Sequence, residues 1–200
     1  MDRFNRKCIL VLVLISSYHS ALYAQEHRYS VHRSGKEIGE ISATLTETMH
    51  TKTYKILSDV SFKILWRQYH RRTSNLVVYQ GESMKTSHCG VYMNNDLQDS
   101  TTMYKEQDSY RVYKHPDDQY LLDNTDLQFT TAKLYFHEPV GIQQVYSERF
   151  LQQCRLELQG DHTYKLHLPD NKANYYTYKD RQLVAVSVER TWFNLEFRKK

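Results

Sequence analysis

Several stretches of this chain alternate apolar and polar residues with a period of two, and no other feature constrains the fold as strongly. Between Tyr54 and Ile64, most apolar side chains occupy even positions, while Lys55, Asp59 and Lys63 occupy odd ones. The pattern recurs at residues 164–168 and 193–198. Successive side chains of a strand point to opposite faces, so the alternation predicts half-buried strands of an antiparallel sheet with one solvated face.

Turn signals divide the chain at short intervals, and the 17 tyrosines suit strands. The signals lie at residues 34–36, 81, 94–96, 160–161, 169–171 and 180–181. We expect an all-β fold with a single strongly curved antiparallel sheet, a half-barrel or open barrel of roughly ten strands. Two long strands should meet near Leu65 and Trp66. At most one short helical turn is expected, near residues 147–153, where Ser147 could act as a cap.

The N-terminus has the order of a secretory signal peptide. A short basic segment precedes the apolar run Cys8 to Ile15, which is far shorter than the roughly 20 residues of a transmembrane helix. We expect cleavage near Ala24, leaving residues 25–200 as a single all-β domain that is soluble in the periplasm or outside the cell. Cys8 lies at the start of the apolar run and not directly after the cleavage site, so no lipid anchor is expected. Because the apolar run is removed with the signal, no transmembrane anchor should remain either.

The charge balance argues against nucleic-acid binding. Arg3, Arg6, Lys7 and Asp2 would leave with the signal, so the 27 basic and 23 acidic residues become 24 and 22. Nucleic-acid binding requires a marked basic excess gathered on one face. A nearly balanced, exported chain is therefore expected to bind no nucleic acid.

Two cysteines, Cys89 and Cys154, would remain after cleavage. An oxidising compartment permits a disulfide between them. Cys154 also belongs to an alternating apolar run, where it could be a small buried residue. The sequence leaves both possibilities open.

The densest polar and aromatic segment spans residues 134–150 and contains the only catalytic candidates, Glu138, Glu148 and Arg149. Two carboxylates with different pKa values can serve as acid and base, and Arg149 or His137 could bias their ionisation. The alternative is structural: Glu138 closes a strand and Glu148 caps a turn or pairs with Arg149. No nucleophile motif accompanies them, and the histidines lack metal-ligand spacing, so the structural interpretation is favoured and neither metal nor cofactor is expected.

The segment from Trp66 to Arg72 mixes aromatic and basic residues and could meet an anionic group. Alternation in a strand would put Arg67, Tyr69 and Arg71 on one face and Trp66 on the other. This division favours an ordinary solvated strand whose charges discourage edge pairing.

The order of several short motifs resembles an uncharacterised family of exported bacterial proteins, domain of unknown function family 6134. The motifs are Tyr-Ser-Val at 29–31, Gly-Lys-Glu-Ile-Gly at 35–39, Tyr-Lys-Ile at 54–56, Ser-Asp-Val at 58–60, Tyr-Phe-His-Glu-Pro at 135–139, Tyr-Ser-Glu-Arg-Phe at 146–150, Leu-Pro-Asp at 168–170 and Asn-Tyr-Tyr-Thr-Tyr at 174–178. The chain departs from the family pattern at Asp180-Arg181, where an Asn-Gly type turn is usual. In outline, the resemblance implies the open curved sheets of envelope carriers that bind acyl chains on a concave face.

Two classes of function follow. The first is a non-enzymatic envelope protein that holds a lipid, another apolar ligand or a partner protein on an aromatic-rich curved sheet, with Ile56, Val60, Phe62 and Trp192 as ligand-binding candidates. A structural scaffold of an envelope assembly is the alternative within the non-enzymatic class. The second class is a hydrolase-type enzyme using Glu138, Glu148 and Arg149, which requires these groups to converge in one cleft.

Overall fold

A computed structural model describes residues 23–123, 127–189 and 194–200. These residues form fourteen strands and one 3-10 turn, Lys133–Tyr135. The strands are β1 Tyr23–Arg33, β2 Lys36–Glu47, β3 Lys52–Ile64, β4 Arg67–Gln80, β5 Ser83–Met93, β6 Asp96–Glu106, β7 Ser109–Lys114, β8 Asp118–Asp123, β9 Gln144–Ser147, β10 Gln152–Gly160, β11 Thr163–His167, β12 Ala173–Lys179, β13 Gln182–Val188 and β14 Leu195–Lys199.

All fourteen strands belong to one antiparallel sheet in the order β8-β7-β6-β5-β4-β3-β2-β1-β14-β13-β12-β11-β10-β9. Neighbouring strands are also neighbours in sequence, except at the centre, where β1 pairs with β14. The two outermost strands are therefore β8 and β9, which are joined by residues 124–143, and Thr130 of this connection forms a parallel bridge with Tyr146 of β9. The all-β class and the single antiparallel open sheet are confirmed.

The strand count and the position of the helical turn correct the sequence prediction. The estimate of roughly ten strands was too low because some hairpins turn without glycine or proline. At the β6–β7 turn, for example, Gln107 itself adopts a positive φ of 49°. The helical turn lies at Lys133–Tyr135 instead of residues 147–153. Ser147 does accept a hydrogen bond from the Phe150 amide at 3.3 Å, but the chain enters β10 at Gln152.

The long β3–β4 hairpin has the position expected. Its strands end at Ile64 and begin again at Arg67, so Leu65 and Trp66 form the turn. The β12–β13 turn keeps a left-handed backbone without the usual Asn-Gly pair, since Asp180 and Arg181 have φ values of 50° and 62°. An aspartate tolerates this conformation better than most residues.

The sheet curls until one end contacts the inner face of the other. The hydroxyl of Tyr146 on β9 lies 3.4 Å from the sulfur of Met103 on β6, and both residues are fully buried. The Thr101 hydroxyl on β6 donates to the carbonyl of Glu148 at 2.7 Å. The β9 edge is thus tucked inside the curl, where its backbone is protected from edge-to-edge pairing.

The predicted signal segment lies outside the described residues, apart from Tyr23 and Ala24, which begin β1. Cleavage near Ala24 and the division into a signal and one domain therefore stay predictions. Within the described part of the chain, no helix has the length and apolar character to span a membrane.

Candidate functional site

The connection between the two sheet edges runs through the inside of the curl. We call residues 127–143 the inner segment. Leu127, Ala132 and Leu134 are almost completely buried, and the segment contains a single 3-10 turn and no strand. A buried irregular segment carries carbonyl and amide groups that cannot reach water, so the segment itself and the surrounding sheet must supply their hydrogen-bond partners.

Tyrosines on four strands bond to the inner segment, two of them to its backbone and two to its side chains. Tyr79 donates to the carbonyl of Leu127 at 2.8 Å, and Tyr178 donates to the carbonyl of Leu134 at 2.7 Å. Tyr164 donates to the Glu138 carboxylate at 3.0 Å. Tyr54 is hydrogen-bonded to the ring of His137 at 3.1 Å. A tyrosine fits this position because its ring packs in the core while its hydroxyl reaches inward to a polar group.

Lys133 and His27 complete the attachment of the inner segment. The Lys133 ammonium lies 3.9 Å from the centre of the Tyr79 ring, which places a cation on an aromatic face. The His27 ring stacks on Phe136 with centroids 5.3 Å apart, and its Nδ1 lies 3.1 Å from the carbonyl of Tyr135. Burial lowers the pKa of His27, so this ring is neutral at pH 7. The inner segment therefore fills one end of the curled sheet.

The other end of the interior is a cavity of about 430 Å³. Its apolar wall comes from both halves of the sheet and contains Val31, Ile41, Ile56, Val60, Val91, Leu166, Val186, Val188, Leu195 and Phe197. Thr131 and Tyr135 of the inner segment also line it. The volume falls within the range of roughly 300–1,000 Å³ that is typical of small-molecule sites.

Two asparagines are among the polar residues of the cavity wall, together with Ser58, Thr73, Ser74, Thr131 and Ser147. Asn75 on β4 and Asn174 on β12 both line the cavity. The side-chain oxygen of each is buried and has no hydrogen-bond partner among the described residues. Native proteins contain few such atoms, because an unpaired buried acceptor is costly. Each oxygen is therefore available to a donor on a molecule inside the cavity.

Cations outnumber carboxylates among the charged residues that line the cavity, which comprise Arg71, Arg149, Lys172 and Asp170. Lys172 pairs with Asp170 at 3.0 Å, and Arg149 pairs with Asp99 at 3.2 Å. Along β4, Tyr79 contacts the inner segment, Asn75 lies four residues farther on, and Arg71 lies four beyond that. At about 3.3 Å per residue, Arg71 is some 26 Å from Tyr79, toward the β3–β4 turn. We call the end at Arg71 the cationic rim.

The four predicted ligand-binding residues are placed differently by the structure. Ile56 and Val60 line the cavity. Phe62 is not among its lining residues; it packs at the margin of the core and stacks on Tyr69 with ring centroids 5.8 Å apart. Trp192 lies outside the described residues. The asparagines and Lys172 were not singled out from the sequence, because an inward-facing polar residue on a strand has no distinctive local pattern.

Glu138 is held by residues of the β10–β11 hairpin. Its side chain is only 2 % exposed, and one carboxylate oxygen lies 2.6 Å from Nδ1 of His162 and accepts the hydrogen bond of Tyr164. Burial alone would raise the pKa of Glu138, but the hydrogen bonds from His162 and Tyr164 outweigh it, and the net pKa lies below the ordinary 4.5. Burial raises the pKa of Tyr164 to about 12, and the hydrogen bond to Glu138 is the second cause of this shift. The carboxylate thus fastens the inner segment to β11.

Glu148 is completely buried and has different partners from Glu138. Its carboxylate accepts hydrogen bonds from the Thr131 hydroxyl and, at 3.1 Å, from the amide of Ala132. Arg149 turns away to Asp99 and the Phe150 ring, where its guanidinium lies 5.2 Å from the ring centre. Glu138, Glu148 and Arg149 therefore do not share hydrogen-bond partners. The role of Glu148 is to hold the inner segment against the end of β9.

Cys89 and Cys154 are both buried and both free. Burial raises the pKa of the Cys89 thiol to about 12 and that of Cys154 to about 11. Both thiols are protonated at neutral pH, and a protonated thiol is a poor nucleophile and metal ligand. Cys89 acts as a small apolar residue of the cavity wall.

Other possible sites are weaker. In the described ranges, no group of three or more His, Cys, Asp or Glu side chains could hold a metal ion. A second depression lies on the outer face of β2 to β5, between Glu40, Asp59 and Arg72. Its lining is mainly polar, so the interior cavity is the better candidate for an apolar ligand.

Comparisons with known proteins agree with the architecture. The chain is similar to a solved structure, the crystal structure of a beta-barrel-like protein of domain of unknown function DUF1849 from Brucella abortus, with 8% sequence identity, a TM-score of 0.55, and coverage of 90% of this chain and 97% of that chain. At this identity the likeness concerns the fold alone. None of the curated proteins compared with the chain matches it. The model of the family DUF6134, a domain of unknown function, matches residues 29–200. The chain therefore belongs to the DUF6134 family.

Proposed function

We propose that this protein is an exported, non-enzymatic binding protein of the cell envelope that holds an amphipathic, lipid-like ligand inside its curled sheet. The observation that carries the proposal is the cavity of about 430 Å³, with apolar walls and a cationic rim. The order of the N-terminal sequence supports export. An unfilled interior also favours a binding protein over a structural scaffold, since native cores are otherwise packed with few voids.

The lining indicates what kind of ligand would fit. The apolar wall suits an acyl chain or a comparable hydrocarbon body. The charged residues at the rim suit an anionic head group, because Arg71 adds a cation beside the Lys172–Asp170 and Arg149–Asp99 pairs. The free oxygens of Asn75 and Asn174 suit a hydroxyl or amide donor between the two ends. A long-chain anionic amphipath matches all three features.

The first experiment compares two fluorescent probes of equal chain length, a fatty acid and the corresponding neutral alcohol. Arg71→Gln removes a cation from the rim, and Arg72→Gln is a matched control because Arg72 lies on the outer face, bonded to Asn95 at 2.8 Å. We expect Arg71→Gln to weaken binding of the acid about tenfold and to leave the alcohol unchanged, since hydrogen bonds to charged groups are worth roughly 1.5–3 kcal/mol. Arg72→Gln should affect neither probe.

A second measurement tests occupancy of the cavity itself. Val60→Trp places a large ring in the wall and should abolish binding of both probes, with the circular dichroism spectrum checked for folding. Native mass spectrometry of protein purified from its own envelope should reveal a bound amphipath. Failure of the wild-type protein to bind either probe, together with the absence of any co-purified ligand, would overturn the proposal.

A further inference from the structure

The tip of the β3–β4 hairpin extends beyond the rest of the sheet. Pairing between β2 and β3 stops at Gly39 and Val60, and pairing between β4 and β5 stops at Arg71 and Met93. Residues 61–70 therefore form a two-stranded ribbon without a third strand beside them. The Asn94 side chain fastens only the base of this ribbon, by accepting a hydrogen bond from the His70 amide at 2.9 Å.

The ribbon ends in apolar residues that point into solvent. Leu65 is 82% exposed, Trp66 is 81% exposed, and Ile64 beside them is 42% exposed. Leu65 has a φ of 55°, a left-handed conformation that two-residue turns usually give to glycine or asparagine. Within the described residues, neither packing nor backbone conformation explains why a bulky apolar residue occupies this position.

The other two-residue hairpin turns of the described chain consist of polar residues and glycine: Ser34-Gly35, Gly81-Glu82, Asn94-Asn95, Gln107-Asp108, Asp161-His162 and Asp180-Arg181. The exposed Leu65-Trp66 pair is therefore a departure from the way this chain builds its turns, and exposed apolar side chains that cluster in this way mark interaction sites.

Cations flank the apolar tip. Lys63 and Arg67 are exposed on either side of it, and residues 61–69 contain no carboxylate. The first carboxylate along β3, Asp59, is already bonded to the His70 ring at 2.7 Å. Arg33 of the neighbouring hairpin donates to the carbonyl of Lys63 at 3.0 Å, which brings a further cation to the ribbon. An apolar wedge with tryptophan at its end and lysine and arginine at its sides fits the interface of an anionic bilayer.

The ribbon also continues the wall of the cavity. Val60 lines the cavity, and Phe62 and Ile64 follow on the same face of β3, while Arg71 lies opposite Val60. Phe62 stacks on its cross-strand partner Tyr69. The apolar strip from Val60 to Leu65 thus runs from the cationic rim to the tip, over about 16 Å at 3.3 Å per residue.

We propose that the β3–β4 tip docks on an anionic lipid bilayer, with Leu65 and Trp66 inserted at the interface and Lys63 and Arg67 on the lipid head groups. Docking in this way turns the cavity mouth toward the membrane. The proposal goes beyond ligand binding in the cavity and stands without it, because it depends only on the tip.

The test is co-sedimentation with vesicles of phosphatidylcholine alone and with vesicles that also contain phosphatidylglycerol. Leu65→Asn combined with Trp66→Gly removes the wedge while installing the Asn-Gly pair that two-residue hairpins prefer, so folding should be preserved. Met49→Asn is the matched control, since Met49 is 71% exposed on the β2–β3 turn at the opposite end of β3. We expect the double variant to lose at least about tenfold in affinity for the anionic vesicles, and Met49→Asn to lose nothing.

Two further measurements separate insertion from simple adhesion. Lys63→Gln and Arg67→Gln should each weaken binding to the anionic vesicles about fivefold. Added salt should reduce the difference in affinity between each variant and the wild type. Brominated acyl chains should quench tryptophan fluorescence in the wild type and much less in Trp66→Phe. The proposal is overturned if the wild-type protein binds neither type of vesicle, if the Asn-Gly variant binds as tightly as the wild type, or if the tip instead joins two copies of the chain in sedimentation experiments.

Discussion

The tyrosine hydroxyls that reach the inner segment are expected to contribute measurably to stability. Tyr178 and Tyr79 are buried and donate to the carbonyls of Leu134 and Leu127 at 2.7 and 2.8 Å. Substitution by phenylalanine keeps the ring and its packing but removes the donor. Each hydrogen bond contributes about 0.5–1.5 kcal/mol to the unfolding free energy, and a buried carbonyl left without a donor costs about 1–3 kcal/mol. We therefore expect each variant to lose about 1–2 kcal/mol of unfolding free energy.

Urea unfolding followed by circular dichroism measures this loss directly. With a slope of about 2 kcal/mol per molar urea, each substitution should lower the unfolding midpoint by about 0.5–1 M. Tyr104→Phe is the control, because Tyr104 is exposed and its described contact is an edge-on ring contact with Tyr113. Surface substitutions of this kind change stability by within about 0.5 kcal/mol.

Hydrogen exchange distinguishes a loosened inner segment from general destabilisation. The amides of Phe136 and His137 both donate to the carbonyl of Lys133 at 2.9 Å, next to the carbonyl that Tyr178 holds. In Tyr178→Phe, these two amides should exchange faster than those of the central β2–β3 pair. The reasoning is refuted if Tyr178→Phe unfolds at the same urea concentration as Tyr104→Phe and leaves exchange in the segment unchanged.

Two further predictions concern the polar groups of the interior. The pKa of Glu138 is lowered in the folded protein, so its ionised form stabilises the fold above the ordinary pKa of 4.5, and this contribution is lost as the pH falls below that value. Glu138→Gln should therefore be about 1 kcal/mol less stable than the wild type at pH 7, and the difference should shrink as the pH falls below 4.5; a difference that does not change with pH contradicts this. Asn75→Leu replaces a buried amide whose oxygen lacks a partner among the described residues, so it should raise Tm by about 2–4 °C in the ligand-free protein. A lower Tm would show that the amide is satisfied.

The arrangement of Glu138, Glu148 and Arg149 shows why sequence proximity is a poor guide to a site. The three residues lie within twelve positions of one another, and their chemical types would suit acid–base work. In the structure, Glu138 reaches β11, Glu148 turns back to Thr131, and Arg149 pairs with Asp99. Their partners lie on β11, on the inner segment and on β6, and the spacing along the chain contains no information on which elements these are.

The sequence by itself determined the local part of this structure. Strand alternation, the Leu65-Trp66 turn and the inward direction of Ile56 and Val60 all follow from short-range geometry, in which side chains alternate between two faces. Strands were undercounted where residues such as Gln107 adopt a positive φ without the help of glycine.

Only the tertiary structure decided what the inward-facing residues meet. Tyr54 and Val60 share one face of β3, yet Tyr54 is bonded to the inner segment and Val60 lines the cavity. The difference depends on residues 127–143, which are far away in sequence and occupy just one end of the curl. Alternation along a strand is a property of the local backbone, whereas the division of the interior between a buried segment and an open volume depends on long-range packing and on buried groups finding hydrogen-bond partners.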